Sequence, residues 1–144
     1  MLRDFINNFK ITQVIDPAVA TQDVNGSSVD MKSYRHCVFV AQVGESGDTL
    51  GSGVRIELEV EESADDSSFT DVADSDLANE VAGVNDGCFG VIDAAAEDDA
   101  YKVVQYNGSK RYVRPVINLV GTHSNGTPIG VIAIQFGKVA VPVA

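Results

Sequence analysis

Residues 53–61 read Gly-Val-Arg-Ile-Glu-Leu-Glu-Val-Glu, and they alternate without a fault. Val54, Ile56, Leu58 and Val60 fall on one side of the chain; Arg55, Glu57, Glu59 and Glu61 fall on the other. Successive strand residues point to opposite faces. The period of two therefore predicts a strand with one face on a core and the charged face in water.

Working outward, Tyr34–Val43 (YRHCVFVAQV) is β-branched and aromatic and stops at Gly44, which reads as another strand. Shorter strands are predicted at 68–72 and at Cys88–Ile92. Residues 101–106 and 111–120 flank Asn107-Gly108, a dipeptide that favours a hairpin, with Ser109-Lys110 lengthening the loop. Residues 131–136 form the last strong strand and Gly137 closes it; the tail that follows contains Pro142 and reads as extended. Only 74–81 and 94–100 look weakly helical. Strands recurring this often between Gly-rich turns predict an all-β fold, an antiparallel β-sandwich or barrel of jelly-roll or Ig-like type.

The N-terminus reads differently. Leu2, Phe5, Ile6 and Phe9 stand at helical spacing, predicting one or two amphipathic turns. Pro17 ends anything begun there, and 16–33 is polar and turn-rich. Residues 1–25 are read as an arm, set apart from a β-sandwich domain at 26–144.

The whole chain of 144 residues suits one domain. Its formal net charge of −11 argues against nucleic-acid and anionic-lipid partners. The charge is unevenly spread. Residues 56–101 carry fifteen acids and no base, whereas 102–144 carry five bases and no acid. Asp4, two Asn and Lys10 interrupt any apolar leader, so the chain is expected to be made in a cytoplasm and to leave it, if at all, without a secretory signal. No apolar run approaches membrane-spanning length.

Catalytic chemistry finds little support. His36 sits in a strand pattern, and adjacent Cys37 points to the opposite face. His123 lies in a Gly-Thr-His-Ser-Asn-Gly turn and reads as a surface residue. A hydrolase using Cys88 or His123 is the weakest reading, and a Cys37–Cys88 disulfide is disfavoured without an export signal. No zinc spacing occurs. Asp71, Asp74 and Asp76, and the run Glu97-Asp98-Asp99, raise a calcium reading, but the EF-hand glycine is missing. The absence of Trp weakens a carbohydrate-stacking site. No enzyme activity, metal or cofactor is expected. A carbohydrate- or calcium-binding module remains an alternative.

Three pieces in order carry a resemblance: VDMKSYRHCVFVAQVG at 29–44, VRIELEVEESADDSSFTDV at 54–72, and YKVVQYNGSKRYVRPVINLVGT at 101–122, followed by IGVIAIQFGKVAVPV at 129–143. Together they resemble a family of small virion proteins of tailed bacteriophages and prophages, encoded close to the major capsid protein. The most specific stretch is Tyr106, Gly108, Lys110, Arg111, Tyr112, Val113 and Arg114. The resemblance implies a capsid decoration, or cement, protein on the outside of the mature head. It implies the major capsid protein as partner and a homotrimer as the self-associated state. A tail, head-completion or spike component is the alternative within the virion. Phe5, Ile6 and Phe9 on the arm, and Lys110, Arg111 and Arg114 on the basic hairpin, are the candidate partner-binding residues.

Overall fold

The computed structural model describes residues 6–139, and nearly all of its regular structure is strand. In chain order the strands are β1 (Lys10–Ala20), β2 (Val24–Asn25), β3 (Val29–Asp30), β4 (Tyr34–Val43), β5 (Arg55–Ser63), β6 (Thr70–Asp71), β7 (Leu77–Ala78), β8 (Cys88–Ile92), β9 (Ala100–Tyr106), β10 (Tyr112–Val120) and β11 (Thr127–Lys138). One sheet, sheet A, has the order β1-β11-β4-β9-β7. The other, sheet B, runs β2-β10-β5-β6, with β3 also on β10 and β8 also on β5. All the pairings are antiparallel.

The two sheets pack face to face as an all-β sandwich. Phe39, Ala41, Val104 and Ala133 come from sheet A; Ile56, Leu58, Val60, Val113 and Ile92 come from sheet B, and each is fully buried. Fully burying each large apolar side chain is worth ~1.5–3 kcal/mol, so this layer dominates the stabilising side of folding.

Three expectations need correction. First, residues 1–25 are not set apart as an arm within the described chain. Lys10–Ala20 pairs along β11, and Val14, Ile15 and Ala20 join the core. Pro17 does not end this strand because it lies on the sheet edge, where the pairing shifts register between Ile15 and Ala18 and no ladder N–H is required. Helical character is confined to a 3-10 turn at Ile6–Asn8. Second, 101–120 is not a hairpin: β9 belongs to sheet A and β10 to sheet B, so 107–111 is an arch between the sheets. Third, the weakly helical stretches supply only a 3-10 turn, Asp74–Asp76, which leads into β7.

Tyr106 explains the arch. Its hydroxyl donates to Glu62 Oε2 at 2.6 Å and accepts the Lys110 amide at 3.0 Å. Its ring lies so close over Gly108 that a Cβ there would meet ring atoms at 2.6 Å. The Tyr-x-Gly-x-Lys spacing thus fixes how the chain crosses between layers.

Candidate interaction face

Of the six candidate partner-binding residues, Phe5 lies outside the described residues. Ile6 is 77% exposed, and Phe9 is half-buried beside it. Their turn is tied to the end of β11, where Lys138 Nζ donates to the Asn7 carbonyl at 2.7 Å. Lys110 is exposed on the arch. Arg111 and Arg114, the other two candidates, each pair with an acid of their own chain. Arg111 forms a two-pronged pair with Asp30, at 3.0 and 2.8 Å, which holds that carboxyl below its usual range. Arg114 grips Glu61 at 2.6–2.7 Å and lies 4.0 Å over the Phe69 ring. Arg114 lies in the interior of its sheet, because β10 is paired on both sides.

The charged face of β5 is not solvated as its alternation suggested. Glu57 is 2% exposed and Glu59 3% exposed. Arg55 pairs with Glu57 at 2.8 Å, Asn85 from the loop before β8 donates to both carboxylates, and Asn118 donates to Glu59. Burial pushes the Glu59 carboxyl above its usual range despite those donors. A polar side chain is tolerated there because each buried oxygen has a hydrogen-bond partner of this kind.

The groups with catalytic potential are dispersed among structural tasks. Cys37 and Cys88 are free and buried, and desolvation pushes their thiols up to about 12 and about 11. Such thiols are poor nucleophiles at neutral pH. His123 is buried rather than on the surface. Its Nε2 faces the carbonyls of Arg55 and Val120 at 3.2 and 3.1 Å, and its Nδ1 faces Asp48 at 3.4 Å. The acidic runs cap loop amides: Asp74 accepts from Gly87, Asp98 from Ser46, and Glu97 from Asp93. Among the described residues no three His, Cys, Asp or Glu side chains converge on a point where a metal could sit.

What stands out is the outer face of sheet A. The register aligns Ile11 with Ile134, Gln13 with Ile132, Ile134 with Val38, Ile132 with Val40, and Val40 with Val103. These side chains point away from the core, because their sequence neighbours Cys37, Phe39, Ala41, Val131 and Ala133 are the buried ones. Phe136 and His36 continue the row and stack at 5.0 Å. The outward positions from Tyr101, Val103 and Gln105, across His36 to Gln42 and Gly130 to Phe136, to Ile11 and Gln13, hold no Asp, Glu, Lys or Arg. A groove of about 430 Å³ crosses one end of this face, lined by Gln13, Pro17, Gln42, Tyr101 and Gly130 among others, with Asp99 as the acid in its lining. Tyr101 stands at its rim, 72% exposed.

The signal was present in the sequence. In CVFVAQV and VIAIQF both parities are apolar, so neither strand has the polar face that an uncovered sheet would carry. Asp65, Asp66, Asp71 and Asp86 lie exposed in loops and short strands about sheet B, and Asp16 on β1 and Asp99 before β9 are exposed at one end of sheet A.

No family model matches the chain, and no curated protein matches it. Among solved structures, it is similar to the crystal structure of the SPBc2 prophage-derived protein YomS, with a TM-score of 0.48 and 13% sequence identity over 90% of this chain and 95% of that one. A likeness at this distance speaks to neither role nor partner.

Proposed function

We propose that this chain is a structural protein of a tailed-phage virion, a decoration protein that sits on the outside of the mature head and stabilises it. The observation that carries the proposal is the apolar outer face of sheet A, whose outward strand positions bear no charge, on a chain whose net charge is −11. Contiguous apolar surface of this kind marks a protein–protein contact. The family-like stretch around Tyr106 to Arg114 supports the virion setting, and its role in the sheet crossing agrees with a motif that specifies fold. The proposed partners are the major capsid protein and further copies of this chain, as a homotrimer, with no enzymatic step. Repeated contacts on a lattice allow each one to be modest. The acids about sheet B would then face water.

The test is addition of the purified chain to undecorated mature heads. Saturable binding at symmetric lattice positions, with heads more resistant to heat, is the expected result. Absence of binding, with the chain recovered in tails or at the connector in about a dozen copies, would overturn the decoration role in favour of the tail or head-completion alternative.

A further inference from the structure

The charge pattern of the apolar face selects its occupant. Two copies of a chain with formal charge −11 repel wherever acid-bearing surfaces meet. Across the outer face of sheet A the outward strand positions bring no carboxylate together, and the nearest acids, Asp16 and Asp99, stand at the groove end of the face. A basic partner would be drawn instead to the acids about sheet B.

Shape points the same way. The groove exists because residue 130 is glycine: a Cβ there would come within 3.0 Å of Pro17, which the irregular edge strand brings over the sheet. Beside it stands Tyr101, a knob of suitable kind for such a hollow. Gln42 lines the same groove and offers its amide to an incoming hydroxyl, whereas the Gln13 amide nitrogen already donates to Asp16 at 2.7 Å. The long strands, at ~4.8 Å spacing and ~3.3 Å per residue, make a face about 20 Å on each side. With its corrugation, that is on the order of the ~600–800 Å² per partner that small specific interfaces bury.

We infer that the outer face of sheet A is an interface between copies of this chain, with Tyr101 of one copy seated in the Gly130 groove of the next. The inference rests on reading this face as a protein–protein surface and names what covers it. The rows of Val, Ile and Phe side chains pack sheet on sheet, and the desolvated ring of Tyr101 anchors the contact.

The test uses the full chain alone, without heads, by light scattering after size exclusion and by sedimentation equilibrium. At about 100 µM, where even a ~10 µM assembly forms, the wild type is expected to be oligomeric. Tyr101→Ser and Ile132→Asp should each weaken assembly at least ~10-fold. Tyr101 is exposed, so Tyr101→Ser should keep the unfolding temperature of the dilute protein, which separates loss of contact from loss of fold. Added NaCl should leave assembly intact or strengthen it, whereas an ion-paired interface would weaken. A monomeric wild type, or variants that assemble normally, overturns the inference. A monomer whose head binding is lost on Tyr101→Ser also overturns it, assigning the face to the shell while keeping the decoration role. An oligomer that responds as expected but ignores heads supports the inference and overturns that role.

Discussion

Asp48 and Glu59 are both acids in contact with amide donors, yet the fold treats them oppositely. The amides of Asn125 and Gly126, at 2.9 and 2.8 Å, with His123 beside them, hold the Asp48 carboxyl below its usual range. A lowered carboxylate adds stability that is present above its unfolded pKa and lost as pH falls through the folded one. Asp48→Asn should therefore destabilise the protein at neutral pH, with the difference from wild type vanishing as pH drops below the ordinary Asp range. Calorimetric melts across that range check it. Glu59 is the reverse case, because burial raises it. Its charged form is penalised by the fold, so its contribution weakens as pH climbs from the unfolded pKa through the raised one. Glu59→Gln should gain stability relative to wild type as pH rises from about 4 to 7, since the amide has no charge to bury. A constant difference between the two melting curves would contradict this account. These two sites differ by what surrounds them, and nothing in the local letters distinguishes them.

At the scale of elements, the strands were legible and their partners were not. Tyr34–Val43 and Cys88–Ile92 emerge with the bounds their composition suggests, and the alternation at 53–61 becomes β5 at Arg55–Ser63. The Asn107-Gly108 turn misled because dipeptide preference is local, whereas the Tyr106 ring and hydroxyl commit the chain to cross to the other sheet. Tyr106→Phe should cost about 1–3 kcal/mol, the scale for a buried carboxylate and amide losing their partner. Chemical denaturation with an unchanged m-value would register it. Gly108→Ala should also destabilise, because its methyl group meets the ring, and a variant as stable as wild type would mean the arch is held otherwise. The N-terminal strand was missed for a related reason: Pro17 breaks an interior strand but is compatible with an edge at a bulge.

Over the whole molecule, the outward strand positions of sheet A are apolar or neutral, while the acids lie in the loops and about sheet B. Fifteen acids fall in residues 56–101, and self-repulsion among them opposes the compact state. Moderate NaCl should therefore raise the unfolding temperature, by screening the acids more than it weakens the pairs Arg111–Asp30 and Arg114–Glu61. A falling temperature in salt would show that the pairs dominate.

The sequence by itself determined the fold class, the main strands, the acidic middle and the basic end, because alternation and composition are local properties read from neighbouring residues. It also held the doubled apolar parity of β4 and β11, the mark of a sheet with no free face. Only the tertiary structure decided that Lys10–Ala20 belongs to the sheet, that Glu57 and Glu59 are covered, that His123 is buried, and that Arg111 and Arg114 already have partners. Each of these depends on segments far apart in the chain meeting across a sheet or a loop. Burial and pairing at that range are set by which strand lies beside which, and a one-dimensional pattern does not carry that information.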